Sequence, residues 1–195
     1  MTDTALTENE ERSLTGIGSA LARNRAFATS GGHEGASLFP TLRLLVITCL
    51  DARVDPAHIL GLDLGEALVI RNNGGRVTPQ LINDLAYVSQ LAEAARPDGP
   101  LFEIALIHHT QCGAARLADD AFRHQYAERI GANESQLLDY AILDPAATVA
   151  RDVERLRTAA AISPRITVSG HVYDITTGLV ETVTTMPRTR ERSSR

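Results

Sequence analysis

The sequence contains no lysine, and this absence excludes several kinds of active site. All 19 basic residues of the 195-residue chain are arginine. A Schiff-base enzyme, a nucleotide-binding loop of the Walker type and a Ser–Lys dyad each require a lysine amine. No apolar run approaches the ~20 residues of a membrane-spanning helix. The net charge of −5 argues against nucleic acid or an anionic membrane surface as the main partner.

Cysteine is scarce, since Cys49 and Cys112 are the only two in the sequence. The first residues, MTDTALTENEERS, are acidic and polar, unlike a secretory signal peptide. We therefore expect a cytoplasmic protein with reduced thiols rather than a disulfide. Two cysteines in such a chain are usually buried and inert, so their neighbours decide whether these two have a chemical role.

Three short apolar runs indicate a parallel sheet. They are LRLLVIT (42–48), ALVI (67–70) and FEIALIH (102–108). Runs without polar alternation suit strands that are covered on both faces. Helix starts at Thr78–Pro79 and Asp144–Pro145 separate later strands. A strand over 166–175 and the final LVETV complete the pattern. We predict a single α/β domain with a mostly parallel central sheet flanked by helices and an antiparallel edge strand.

The two ends of the chain differ in composition from this domain. A helical pattern covers 7–28, and the glycine-rich SGGHEGAS follows it. We predict a projecting N-terminal helical arm and linker over 1–36, and the α/β domain over 37–185. The polar, basic segment 186–195 is typical of a disordered tail.

Both cysteines fall where the predicted strands end. Cys49 follows the first apolar run, and HHTQCG (108–113) follows the third. Ligands of open α/β sheets bind beyond the carboxyl ends of the strands. Thiolate and imidazole are ligands that zinc favours, and three protein ligands mark a catalytic site. Cys49, His109 and Cys112 supply that set for one Zn²⁺ per chain, with His109 and Cys112 at the spacing of a helical turn. His108 is the rival ligand.

Asp51 and Arg53 follow Cys49 at intervals of two residues. In an extended chain all three side chains project the same way. Asp51 could then accept the hydrogen bond of a zinc-bound water, while Arg53 holds the carboxylate ionised and aimed. The alternative is a surface ion pair that adds little to stability.

The motifs in this order resemble those of the β-class carbonic anhydrases, over roughly residues 10–183. They are C-x-D-x-R at 49–53, RN-x-G at 71–74, H-x-x-C at 109–112 and the later GHVYDITTG at 170–178. The resemblance implies zinc ligation by Cys49, His109 and Cys112, and a catalytic dyad of Asp51 and Arg53. It also implies that a glycine loop lies near the site. The residues expected there are Asn72, Asn73, Gly74, Gly75 and Gly113.

The implied activity is the reversible hydration of CO₂ to bicarbonate by zinc hydroxide that the dyad orients. The implied protein is a homodimer or homotetramer with a small-molecule substrate. Carbonyl sulfide hydrolases share this fold and zinc motif, so conversion of COS to CO₂ and H₂S stays open. A third alternative is a non-catalytic zinc-stabilised module in which Asp51 itself binds the metal. The sequence departs from the family in having Asn73 where alanine is common, and in lacking the tryptophan of the accessory bicarbonate pocket of some bacterial members.

Overall fold

A five-stranded sheet forms the centre of the computed structural model, which describes residues 16–185. The strands are β1 (Leu44–Cys49), β2 (Ala67–Asn72), β3 (Glu103–His109), β4 (Thr167–Tyr173) and β5 (Val180–Thr185). Their order across the sheet is β2-β1-β3-β4-β5. All neighbours pair in parallel except β4 and β5. The predicted mostly parallel sheet with an antiparallel edge strand is confirmed.

Six α-helices accompany the sheet in the described part of the chain. They are α1 (Ile17–Thr29), α2 (Pro56–Ile59), α3 (Pro79–Ala95), α4 (Asp120–Ile130), α5 (Glu134–Asp139) and α6 (Pro145–Thr158). The predicted starts of α3 and α6 are confirmed: the side chains of Thr78 and Asp144 cap them, each followed by a proline whose fixed φ suits a first turn. The short α2 was not anticipated, and a 3-10 turn over Gly113–Ala118 precedes α4.

The main core lies between one face of the sheet and two helices. It comprises Leu45, Ile47, Ile104, Leu106 and Val168 from the strands, Leu81 and Leu85 from α3, and Val149, Val153 and Leu156 from α6. These residues are at most 7% exposed. Burying each contributes about 1.5–3 kcal/mol. The core therefore fixes β1 and β3 side by side, with both carboxyl ends at one edge.

The described part of the chain divides into two compact units, with the boundary between Ser37 and Leu38. In the first unit, none of the residues of α1 is buried, and Ile17 and Phe27 are exposed apolar residues. The predicted start of this helix near residue 7 and the predicted tail over 186–195 lie outside the described residues. No helix within 16–185 is both long and apolar enough to span a membrane.

Candidate metal centre

Three side chains with metal-ligating atoms meet at the carboxyl edge of the sheet. Cys49 ends β1, His109 ends β3, and Cys112 follows three residues later. One ligand atom from each lies within 4.8 Å of the others, and the two Sγ atoms are 3.8 Å apart. All three residues are buried. The structure thus brings together the three residues that the sequence proposed as zinc ligands.

His109 presents a bare nitrogen to this cluster. Its Nδ1 lies 2.9 Å from the carbonyl oxygen of Thr110. A carbonyl can only accept, so Nδ1 carries the hydrogen and Nε2 has a free lone pair. That Nε2 is buried and has no hydrogen-bond partner among the described residues. An unpartnered buried polar atom costs about 1–3 kcal/mol. A metal ion between Nε2 and the two sulfurs would satisfy it, so the donor set fits a zinc site.

His108 points away from the cluster because β3 is still extended there. Its Nε2 lies 3.3 Å from the carbonyl oxygen of Gly75 and 3.6 Å from Oδ2 of Asp152. Burial lowers the pKa of His108 to about 4, so the ring is neutral. The predicted helical turn between His109 and Cys112 is wrong. The chain makes a tight turn instead, with Gln111 in the left-handed region at φ 54°.

The two thiols are coupled electrostatically. A hydrogen bond from Cys112 lowers the pKa of Cys49 to about 4 against the effect of burial, and the nearby backbone N–H groups of Asp51 and Gly74 contribute to the lowering. The resulting charge on Cys49, together with burial, raises the pKa of Cys112. One sulfur is therefore readily anionic while the second resists ionisation. A divalent cation would stabilise both thiolates.

Asp51 and Arg53 form a bidentate ion pair beside the cluster. Nε of Arg53 donates to Oδ1 of Asp51 over 2.9 Å, and Nη2 donates to Oδ2 over 2.7 Å. The backbone N–H of Arg53 also donates to Oδ1. These contacts hold the pKa of the Asp51 carboxyl well below its ordinary range. The side chains of Arg53 and Asp51 are 51% and 16% exposed.

The chain at Asp51 is not extended as the sequence suggested. The N–H of Val54 donates to the carbonyl of Asp51 over 3.0 Å, which closes a turn. This turn brings residues two positions apart into bidentate contact. Nη2 of Arg53 also donates to the carbonyl of Gln111. The pair is thereby tied to the segment that carries the other two candidate ligands.

Arg71 contacts the site, although the sequence analysis noted it only as part of the RN-x-G motif and gave it no role. At the end of β2, its Nε donates to the carbonyl of Cys49 over 3.0 Å and its Nη2 to that of Asp51 over 2.6 Å. Its Nη1 reaches Oδ2 of Asp55 at 3.3 Å. Arg71 therefore clamps the backbone that bears both residues. The signal that could have found it was an arginine ending an apolar strand, within the RN-x-G motif.

The predicted glycine loop divides into residues that touch the site and residues that do not. Gly75 has φ +65°, and a Cβ there would lie 2.9 Å from the carbonyl carbon of Thr48. A Cβ on Gly74 would meet Ile142 at 3.0 Å. Asn72 pairs with Cys49 in the sheet register, whereas Asn73 is exposed. A Cβ on Gly113 would meet no atom of the described chain within 4 Å.

A small cavity of about 290 Å³ reaches Cys112. Its lining consists of Thr110, Gln111, Cys112, Ala115, Ile142, Leu143 and Pro145. Ile142 is 3% exposed and packs in one cluster with Cys49 and Cys112. The candidate centre therefore has an ion pair on one side and apolar side chains near the other.

Comparisons with known proteins agree with this arrangement. The sequence profile of the family described as carbonic anhydrase matches residues 44–180. β-Carbonic anhydrase 1 of Mycobacterium tuberculosis (strain H37Rv) is 32% identical over 164 residues, covering 84% of this chain and 95% of its own. A carbonic anhydrase crystal structure from Streptococcus mutans has a TM-score of 0.72 at 30% identity, covering 86% of this chain and 97% of that one. The carbon disulfide hydrolase of Saccharolobus solfataricus is 25% identical over 158 residues, covering 69% of this chain and 74% of its own. The chain, with its Cys–His–Cys cluster at the sheet edge, belongs to the β-carbonic anhydrase family.

Proposed function

We propose that this protein catalyses the reversible hydration of CO₂ to bicarbonate, with one Zn²⁺ per chain held by Cys49, His109 and Cys112. The observation that carries the proposal is the bare Nε2 of His109, buried against two thiols and close to an Asp–Arg pair. Membership of the β-carbonic anhydrase family supports the same reaction class, that of a lyase.

The charges of the three side chains suit a catalytic metal. Two thiolates carry the charge that balances Zn²⁺, and His109, with its Nδ1 hydrogen on the carbonyl of Thr110, would bind through the lone pair of Nε2. When bound there, zinc would supply Lewis acidity, which lowers the pKa of a water to about 7. A set of three protein ligands is typical of a catalytic zinc site, in which water or substrate completes the coordination.

Asp51 would orient the reacting water by accepting its hydrogen bond. Oδ1 of Asp51 already accepts two hydrogen bonds from Arg53, whereas Oδ2 accepts one. A carboxylate oxygen has two lone pairs, so Oδ2 retains one for a further donor. Because Arg53 keeps the carboxylate ionised, Asp51 acts as an acceptor that positions a proton rather than as an acid that supplies one.

The apolar cavity beside Cys112 suits a small uncharged substrate. Ile142 and Leu143 contribute side chains that offer CO₂ no competing hydrogen bond. The same two side chains offer charged bicarbonate no hydrogen bond. This part of the cavity therefore favours the uncharged reactant.

Metal removal tests the proposal directly. Purified protein should contain about one zinc per chain and accelerate CO₂ hydration in a stopped-flow pH-indicator assay. A chelator should remove both the zinc and the activity, and added Zn²⁺ should restore both. Undiminished CO₂ hydration by zinc-free protein would sink the proposal.

A second candidate is hydrolysis of COS to CO₂ and H₂S at the same site. The observation that favours it is the similarity to a carbon disulfide hydrolase. The three candidate ligands do not discriminate between CO₂ and COS. A paired assay on one preparation decides: sulfide release from COS that outpaces CO₂ hydration would favour this activity over the first.

A third candidate is a non-catalytic module closed by Asp51 as a fourth zinc ligand. Both carboxylate oxygens of Asp51 face Arg53 in the structure, which supports the open, catalytic alternative. Zinc-edge X-ray absorption over a range of pH tests this. An oxygen ligand from Asp51 at every pH, with no hydratase activity, would favour the module.

We further infer that the protein is a homodimer or homotetramer. The apolar side chains Ile17, Leu21 and Phe27 of α1 are 73%, 49% and 43% exposed, and a second copy of the chain would cover such a helix. Size-exclusion chromatography with light scattering tests this. A monomer at micromolar concentration would contradict the inference.

A further inference from the structure

A second Asp–Arg pair, Asp152–Arg76, lies behind the candidate metal centre and is fully buried. Nε of Arg76 lies 2.5 Å from Oδ2 of Asp152, and Nη2 lies 3.0 Å from Oδ1. The two side chains are 1% and 0% exposed. Arg76 directly follows the glycine loop, and Asp152 lies on α6. The pair therefore joins that loop to a core helix.

The glycine loop, residues 72–75, packs closely against the end of β1, where Cys49 lies. A Cβ on Gly75 would lie 2.9 Å and 3.0 Å from backbone carbons of Thr48 and 3.1 Å from the backbone nitrogen of Cys49. A Cβ on Gly74 would lie 3.0 Å from Ile142 and 3.2 Å from Ala114, two residues that pack in one cluster with Cys49 and Cys112. A shift of the loop by a few tenths of an ångström would therefore change the surroundings of the Cys49 sulfur.

Asp152 fixes the end of the loop at two points. Besides the Arg76 guanidinium, Oδ2 of Asp152 accepts the backbone N–H of Val77 over 3.2 Å. Nη1 of Arg76 donates to the carbonyl of Asp139 over 2.7 Å. Side chain and backbone are thus both anchored to helices, α5 through Asp139 and α6 through Asp152. These contacts define where the loop can lie.

His108 and Asn72 hold the loop from the other side. Nε2 of His108 donates to the carbonyl of Gly75 over 3.3 Å. Nδ2 of Asn72 donates to the carbonyl of Arg76 over 2.9 Å. His108 directly precedes the candidate ligand His109 in β3. This hydrogen bond therefore ties the position of the loop to the strand that carries His109.

Stability does not account for burying this pair. Removing two charges from water costs several kcal/mol per ion, and apolar replacements of similar volume are often neutral or stabilising. Arg155 also donates to Oδ1 of Asp152 over 2.9 Å and pairs with Asp139. Two arginines and two aspartates balance one another while satisfying their hydrogen bonds. Such a network gives defined geometry more than it gives free energy.

We propose that Arg76 and Asp152 are positioning residues of the Cys–His–Cys centre, which act through the glycine loop to set the surroundings of the Cys49 sulfur. The inference rests on the metal site of the proposed function. Outer-shell partners of metal ligands typically change metal affinity about 10- to 100-fold when they are removed. Replacing both residues together should therefore weaken metal binding more than it lowers the free energy of unfolding.

The test compares the double variant Arg76→Met/Asp152→Asn with wild type. The introduced amide keeps an oxygen for the N–H of Val77, and neither buried charge of the pair is left unpaired. The control Glu154→Gln breaks the exposed Glu154–Arg157 pair on the same helix. Zinc affinity is measured by competition with a chelator. The sulfur-to-cobalt absorption band of the Co²⁺-substituted protein reports the thiolates directly.

We expect zinc affinity about 10- to 100-fold below wild type and a shifted cobalt band in the double variant, with both unchanged in Glu154→Gln. Arg76→Lys keeps the charge but loses the planar fork, and its zinc affinity should lie between those of wild type and the double variant. Wild-type zinc affinity and cobalt spectrum in either Arg76 variant would overturn the inference. No substrate is involved, so a wild-type protein that binds zinc without hydrating CO₂ would count against the proposed function alone.

Discussion

The two Asp–Arg pairs of this protein have the same bidentate geometry and opposite surroundings. Asp51–Arg53 is local, two residues apart, with Arg53 half exposed. Arg76–Asp152 joins residues 76 positions apart and is buried. An exposed pair contributes at most about 1 kcal/mol to stability, so the role of the first must be sought in chemistry. Removing one partner of the second pair should lower the free energy of unfolding substantially, because the charge of the other partner would stay buried.

Removing the sulfur of Cys49 should give the largest effect. Cys49→Ser replaces a zinc-favoured thiolate by a hydroxyl, so we expect loss of bound zinc and of CO₂ hydration. Zinc content by atomic emission and the stopped-flow assay measure the two. Ser30→Ala, outside the sheet, serves as a control. Full zinc occupancy in Cys49→Ser would contradict the ligand assignment.

Neutralising the exposed pair should separate activity from stability. In Asp51→Asn, zinc should stay bound while turnover falls about 10²- to 10⁴-fold, the range of a lost proton-positioning group. The melting temperature should change little because Arg53, the partner of Asp51, is half exposed to solvent. Asp120→Asn, which breaks the surface pair with Arg123, should leave activity intact. Normal turnover in Asp51→Asn would remove Asp51 from the mechanism.

Removing one partner of the buried pair should, unlike Asp51→Asn, lower the stability of the fold strongly. Asp152→Ala leaves the Arg76 charge without its carboxylate, so we expect a loss of about 3–5 kcal/mol in the free energy of unfolding. Urea denaturation measures it. Glu154→Ala on the same helix should cost less than about 1 kcal/mol. Equal effects of the two variants would mean that burial does not distinguish the pairs.

The loop between the pairs offers a smaller perturbation. Gly75→Ala places a Cβ 2.9 Å from the backbone of Thr48, at φ +65°, so we expect a loss of about 1–3 kcal/mol from strain and weaker zinc binding. Gly113→Ala lacks such a neighbour among the described residues and should change both little. Thermal melting and chelator competition compare them. A Gly75→Ala variant as stable as Gly113→Ala would contradict the close approach.

The smallest expected effect concerns a pH-dependent surface contact that involves neither pair. Hydrogen bonding to Glu134 and the charges of Glu128 and Glu134 raise the pKa of His124. A raised pKa means that the folded state binds the proton more tightly than the unfolded state. The stabilisation is therefore fully present below about pH 6.5, the unfolded value, and is lost as pH rises through the folded pKa. His124→Gln should lower the melting temperature slightly at pH 5.5 and not at pH 8.5. A lowered melting temperature at pH 8.5 alone would contradict a raised pKa of His124.

Local sequence patterns predicted most of the strands and capped helices. The apolar runs anticipate β1 and β3 within two residues, and the Thr–Pro and Asp–Pro steps locate α3 and α6. These features depend on neighbours in sequence. The turn at Asp51 and the left-handed Gln111 were missed, because a motif gives the spacing of side chains and not the backbone path between them.

The sequence by itself determined the fold class and the candidate ligands, because strand ends in a parallel sheet must meet at one edge and Cys49, His109 and Cys112 stand at such ends. It also made the Asp51–Arg53 pair visible, since two residues suffice to form it. The tertiary structure alone decided which ring nitrogen of His109 is bare, that Arg71 clamps the Cys49 backbone, and that Arg76 meets Asp152. Each of these depends on where distant backbone segments pack, and burial then decides what an unpaired polar atom costs.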